Sequence, residues 1–217
     1  MTISQKAIVL SVTRTAESSL VVHTVGSALG RRSFITSAGK KSPMALFQPL
    51  SIVDMEVVEN PRSDLWRIRN LRQQYPLAGI RSSLHKNTMT MFLSEVLFRT
   101  LKQGAFEEGL FDWCEGAILA LDALEGDFAN FHLRFLMEFA SVLGFAPSPE
   151  NLAPFAGAHL PQICALLQAS LPEFLLVPLS GRQRGEIAQS LLRYIAFHCE
   201  TQLNVRSLPV LQELYGH

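Results

Sequence analysis

The sequence has few cysteines, no long apolar run and no excess of either charge. Its 217 residues contain three cysteines, Cys114, Cys164 and Cys199, which lie far apart and form no CxxC pair. An odd number of cysteines scattered along the chain is more typical of a protein in a reducing compartment than of one held by disulfide bonds. No apolar run approaches the ~18 residues that span a bilayer, which argues against an integral membrane protein. The first residues lack the pattern of a secretory signal, so we expect a cytoplasmic protein.

Motifs of enzyme chemistry are missing too. Neither HExxH nor GxSxG occurs, and histidine and cysteine never form the paired short spacings of a zinc site. Residues 38–42 faintly resemble a phosphate loop, but Phe34 stands where that loop needs glycine, and Lys41 separates Lys40 from Ser42. Because no catalytic constellation remains, we expect a binding protein and not an enzyme, with no metal and no cofactor.

What is present is apolar surface and an uneven charge distribution. Apolar residues make up 48% of the chain and charged residues 18%, which excludes a disordered protein and suffices for a core. Residues 1–80 contain ten basic and five acidic side chains (+5), and the remaining 137 contain nine and fourteen (−5). Such asymmetry favours a basic half that contacts a polyanion, although an accident of surface composition would give the same count.

The basic half has the pattern of a small β-barrel. Short β-branched runs bounded by turn residues predict strands at residues 7–12, 20–25, 31–36, about 50–58, and 65–72. In the last run, strict alternation predicts two faces. One carries Leu65, Arg67, Arg69 and Leu71, and the other carries Trp66, Ile68, Asn70 and Arg72. Five strands in about 70 residues suit the OB-fold, the commonest closed barrel of that size.

Beyond residue 80 the apolar period becomes helical. We predict helices from a cap at Ser82 or Ser83 to Leu101, then at 110–124, 128–143, 185–198 and 207–215, with short helices between residues 145 and 181. The fold class is therefore α+β and multi-domain. A five-stranded OB-fold barrel (1–80) precedes an all-α helical domain (81–217), and the positive charge of the barrel favours nucleic-acid binding there.

Cationic side chains on the barrel are the candidate nucleic-acid ligands. Cations on loops and one barrel face, near aromatic rings, suit backbone tracking and base stacking on single strands. For Phe34 and Trp66, however, we favour a place in the barrel core. For Lys40 and Lys41 a solvated turn is the competing interpretation. The candidate set is Arg14, Arg31, Arg32, Lys40, Lys41, Arg67 and Arg69.

Several segments in order resemble the RecO family of bacterial recombination mediators. They are residues 7–10, 15–22, 30–31 and 38–42, then 46–50, which match the family's LQPF segment with Phe and Leu exchanged. Residues 95–97 resemble its helical-domain signature, and 133–145 its central helix, which ends in Leu-Gly-aromatic. The resemblance runs from about residue 5 to 216 and agrees with a barrel followed by helices.

The resemblance implies a role in DNA repair and homologous recombination in the bacterial cytoplasm, in association with the nucleoid. It implies binding to single- and double-stranded DNA, annealing of complementary strands, and cooperation with RecR. That pair would load RecA onto DNA coated by single-strand-binding protein, whose acidic, Phe-ended C-terminal tail the helical domain would bind. A protein-interaction adaptor, with a barrel that binds protein and not DNA, is the alternative.

By alignment, Arg134 matches a basic residue of the tail pocket, with Phe131 and Phe135 as its apolar neighbours. An ion pair between Arg134 and Glu138, four residues along the same helix, is an equally good interpretation. One departure is informative: many family members carry a zinc-binding cysteine cluster after the central helix, but residues 146–163 contain no cysteine. We therefore expect no zinc.

Overall fold

The computed structural model describes residues 1–16, 19–37 and 44–215. Five strands in its N-terminal part form a closed barrel in the order β1-β2-β3-β5-β4. This confirms the predicted five-stranded barrel. The strands are β1 (Thr2–Ala16), β2 (Ser19–Gly26), β3 (Gly30–Ser37), β4 (Ile52–Val58) and β5 (Trp66–Gln73).

The first strand is longer than the predicted 7–12 because it serves two partners. Its first half pairs antiparallel with β4, from Thr2–Val58 to Ile8–Ile52, and its second half pairs with β2. A register shift between Val9 and Ser11 lies near the exchange of partners, and such irregularities increase the local twist that closes a barrel. Barrel closure is completed by the short parallel contact of β3 with β5.

The rest of the described chain is helical, as predicted. Ser83 caps the second helix by accepting from the Lys86 amide, so the predicted cap is correct. Three short helices occupy residues 145–181, again as predicted. The helices are α1 (Ala78–Ser82), α2 (Leu84–Thr100), α3 (Leu110–Ala123), α4 (Phe131–Val142), α5 (Pro149–Ala156), α6 (Leu160–Gln168), α7 (Leu171–Leu176), α8 (Gly181–His198) and α9 (Leu208–Leu214).

Two apolar cores support these elements. The smaller one fills the barrel, and the larger one fills the helical part and extends onto the barrel's outer face through residues such as Ile8, Leu10 and Ile52. These barrel residues share a core with Phe92 and Val96 of α2, so the barrel is packed directly against the helices. Burial of this common surface is the main force that joins the two parts.

Polar contacts reinforce that junction. The Lys6 ammonium lies 3.2 Å from a Glu115 carboxylate oxygen, and the Arg81 guanidinium donates to the Ser51 hydroxyl at 2.9 Å. The Arg31 backbone amide donates to the Ala105 carbonyl at 2.8 Å, and the Gly104 amide donates to the Arg31 carbonyl at 2.7 Å. The loop between α2 and α3 therefore continues the hydrogen bonding of β3, which fixes its position against the barrel.

Candidate nucleic-acid interface

Two arginines of β5 lie together on an open groove of the barrel. Arg67 pairs with Ile35 across the parallel β3–β5 contact, and both Arg67 and Arg69 are exposed. They line a cleft of about 650 Å³ whose walls also include Ile35, Val58 and Leu65. Neither arginine has an ion-pair partner in the described parts of the chain. Two free cations beside apolar side chains suit a phosphate backbone whose bases contact the groove wall.

A β-bulge occurs in β5 at Arg69. Glu56 of β4 pairs with Asn70, but Val57 pairs with Ile68, so Arg69 is the extra residue on β5. The bulge changes the alternation beyond it, and Leu71 packs with Ile68 and the barrel core. The prediction that Leu71 shares a face with the arginines is therefore wrong, because a residue inserted into one strand exchanges the two faces.

Arg32 of β3 and Trp66 of β5 form a stacked pair. The Arg32 guanidinium carbon lies 4.2 Å from the Trp66 ring centroid, and both side chains are half-buried. One face of the indole is therefore covered by a cation, while Trp66 also packs against the barrel core. Phe34 is fully buried in that core, as the sequence analysis favoured.

Arg31 differs from its neighbour because it is buried. Its side chain is 5% exposed and lies over the Phe98 ring at 4.9 Å, and its guanidinium donates to the Gln103 side chain at 3.3 Å. Burial lowers the pKa of the guanidinium to about 10. In this position Arg31 cannot reach a phosphate, so the structure removes it from the candidate set and assigns it to the junction with α2.

The other predicted cations are more distant or are not described. Arg14 is exposed near the end of β1, where it pairs with Leu20 of β2. Lys40 and Lys41 lie outside the described residues. The structure thus brings Arg67 and Arg69 together in one groove, and neither Arg32 nor Arg14 is among the residues that line it.

The predicted tail-pocket residues Arg134, Phe131 and Phe135 lie on α4. The Arg134 guanidinium lies 2.5 Å from a Glu138 carboxylate oxygen and 5.5 Å from the Phe174 ring centroid. Phe131 and Phe135 are buried in the helical core. The ion pair that was the alternative interpretation of the sequence is therefore formed, through the Nε–H group of Arg134.

Alternation along β5 predicted Leu65 on the face of Arg67 and Arg69, and all three line the groove. The apolar wall residues Ile35 and Val58 belong to other strands and were not predicted, because they carry no charge signal. In the described ranges, no three His, Cys, Asp or Glu side chains gather as a metal site would require. Nor does any described helix have the length and apolarity to cross a membrane.

Comparison with known proteins gives the family. A model of the RecO N-terminal region matches residues 1–75, and a model of the RecO C-terminal region matches residues 81–153. The chain is 31% identical over 212 residues to DNA repair protein RecO of Phocaeicola vulgatus, with 86% of this chain and 88% of the relative covered. It is 30% identical over 235 residues to that of Bacteroides fragilis, with 96% and 97% covered, and 29% identical to that of Flavobacterium psychrophilum along both full lengths. The chain therefore belongs to the RecO family of DNA repair proteins.

Proposed function

We propose that this chain is a recombination mediator without enzymatic activity that binds single- and double-stranded DNA and anneals complementary strands. It acts with RecR to load RecA onto DNA that is coated by single-strand-binding protein, in the bacterial cytoplasm and on the nucleoid. The observation that carries DNA binding is the unpaired Arg67–Arg69 pair on the groove of a five-stranded barrel. Family membership supports the same role.

The proposed mechanism is electrostatic. Arg67 and Arg69, with Arg32 and Arg14 farther away, replace counterions on the phosphate backbone. Ile35 and Leu65 offer apolar contacts to bases on the groove wall. With Lys40 and Lys41 the proposed set has six cations, of which we expect about five to neutralise phosphates at one time. The logarithm of the binding constant for single strands should then fall with the logarithm of salt concentration at a slope of about −3.5.

The helical domain is proposed to tether the protein to the tail of single-strand-binding protein. Arg134 donates to Glu138 through Nε, and a terminal carboxylate would accept from the other N–H groups of the same guanidinium. The buried positions of Phe131 and Phe135 require that the apolar end of the tail binds beside them and not on their ring faces.

The test is fluorescence anisotropy of a labelled single-stranded oligonucleotide across a salt series. We expect the variant with Arg67→Ala and Arg69→Ala to bind roughly tenfold more weakly, with a salt slope shallower by about 1.4, because two phosphate contacts are lost. Arg72→Ala is the matched control. It removes an exposed arginine from the same strand. In the strand register this arginine lies opposite Asp54 of β4, and it lines a different surface.

Two results would change the proposal. If folded wild type does not bind DNA even at low salt, the protein is better described as an adaptor whose barrel binds protein. If the double variant binds like wild type and Arg72→Ala does not, DNA binds the barrel on another face.

A further inference from the structure

A second cleft, of about 390 Å³, lies in the helical part of the molecule, away from the Arg67–Arg69 groove. Three helices end at it: α2 at Thr100, α4 at Val142 and α8 at His198. Its walls come from these three ends and from the loop before α3. The lining residues are Thr100, Leu101, Lys102, Ala105, Glu107, Leu143, Phe145, His198, Cys199 and Glu200.

The helix ends and side chains of the cleft together favour a negative electrostatic potential. Each helix C-terminus carries the equivalent of roughly half a negative charge, and the three helices that end here are 17, 12 and 18 residues long. Glu107 and Glu200 add two carboxylates, against the single cationic side chain of Lys102 in the described lining. None of these three side chains forms an ion pair with a described residue. The cleft therefore favours a cation and disfavours DNA or an acidic peptide.

Aromatic side chains flank the same cleft. The Phe145 ring stacks on the His198 imidazole, with centroids 4.8 Å apart and planes 10° apart. The Phe197 ring meets His198 edge-on at 5.3 Å and is 68% exposed, and Phe106, beside the lining residue Glu107, is 57% exposed. Exposed phenyl groups around a concave site are typical of protein-binding surfaces and not of plain solvated ones.

We propose that this cleft is a docking site for a basic segment of a partner protein. One arginine side chain enters between Glu107 and Glu200, where its flat guanidinium stacks against the Phe145–His198 pair. Apolar residues on either side of that arginine contact Phe106 and Phe197. Charge complementarity selects this occupant, and the site is separate from both the proposed DNA groove and the proposed tail pocket.

The test uses the full chain and a short probe, acetyl-Ala-Leu-Arg-Leu-Ala-amide with a fluorescent label. The control peptide has citrulline in place of the arginine, and citrulline has nearly the same shape but no charge. Cys199 lines the cleft and Cys164 does not, while both thiols are half-buried, so Cys164 is an internal control. We expect saturable binding of the arginine peptide, and slower alkylation of Cys199 but not of Cys164 by mass spectrometry.

Charge reversal provides the second arm. The variant with Glu107→Lys and Glu200→Lys should bind the arginine peptide at least about tenfold more weakly, because two charge-assisted contacts become repulsive. The matched variant with Glu125→Lys and Glu213→Lys changes two exposed carboxylates elsewhere and should bind like wild type.

Three outcomes would overturn the proposal. Equal affinity for the citrulline peptide would remove the role of charge. Protection of Cys199 by a single-stranded oligonucleotide would make the cleft part of the DNA surface. If Glu107→Lys with Glu200→Lys instead dissociates a dimer in sedimentation, the occupant is a second copy of this chain.

Discussion

Arg31 and Arg32 are adjacent in sequence and of the same type, but they have different environments. Arg32 lies over Trp66 at the barrel surface, whereas Arg31 points toward α2 and is covered by Phe98. Alternation along a strand predicts opposite faces for the pair, but it does not predict that one face is covered by a distant helix. The sequence alone therefore overestimates the number of barrel cations that can meet DNA.

His132 is a buried base whose environment makes stability depend on pH. Its side chain is 3% exposed and packs against Phe92. Burial, with the nearby Arg184 cation, lowers its pKa to about 3. In the unfolded chain a histidine binds a proton below about pH 6.5, so the unfolded state takes up more protons between these values. The contribution of His132 to the free energy of unfolding is therefore complete above pH 6.5, and it is lost as the pH falls toward 3.

The measurement is urea denaturation of wild type and His132→Leu between pH 7 and pH 4.5. We expect wild type to lose roughly 2–3 kcal/mol of unfolding free energy through His132 across this range, since each pH unit below 6.5 costs about 1.4 kcal/mol. The unfolding free energy of His132→Leu should fall by roughly 2–3 kcal/mol less over the same pH range, because leucine binds no proton. An identical loss in both proteins would show that His132 is protonated in the folded state.

Among the elements, β5 is the strand in which the alternation of residues does not predict the side-chain faces correctly. The sequence analysis found the strand and its two groove arginines, but it placed Leu71 on the wrong face, because the bulge at Arg69 leaves no signature in composition. The bulge makes a specific prediction about deletions. Without Arg69, Ile68 and Leu71 are two positions apart and both still point inward, so the strand becomes regular.

Deletion of Arg69 should therefore keep a single cooperative unfolding transition and cost less than about 2 kcal/mol in denaturant titration. Deletion of Glu56, the residue opposite the bulge, is the control. It would bring Met55 and Val57 of β4 to adjacent positions, so that one buried side chain must face solvent. We expect this second deletion to abolish cooperative unfolding. Equal stability of the two variants would contradict the register described here.

At the scale of the whole molecule, the sequence predicted two parts and not the way they join. The spacing of apolar residues identified a barrel and a helical region, because strands and helices repeat their apolar positions at different intervals. The junction instead depends on Ile8, Leu10 and Ile52, which look like ordinary strand residues but belong to the helical core. Contacts between elements distant in sequence leave no local pattern, so neither the junction nor the cleft at the three helix ends could be predicted.

Gly30 is the position where this junction tolerates no side chain. It has a φ of +60°, and a Cβ built there would lie 2.2 Å from the Ala105 carbonyl oxygen of the α2–α3 loop. That carbonyl accepts the Arg31 amide, so the loop cannot retreat without breaking the backbone bonds that hold it to β3. Gly104, in the same loop, has a φ of +83° but no atom within 4 Å of its Cβ position. Both glycines therefore have a positive φ, but only at Gly30 would an added Cβ collide with a neighbouring atom.

We therefore expect Gly104→Ala to cost only the roughly 1–2 kcal/mol of a strained backbone, and Gly30→Ala to cost about 2 kcal/mol more. Thermal unfolding followed by calorimetry and by circular dichroism would measure both. Wild type should unfold in one transition because barrel and helices share a core, whereas separation of the loop from β3 in Gly30→Ala should split the transition or lower its cooperativity. If the two variants lose the same stability, the close approach of the Ala105 carbonyl contributes nothing, and the shared apolar surface alone joins barrel and helices.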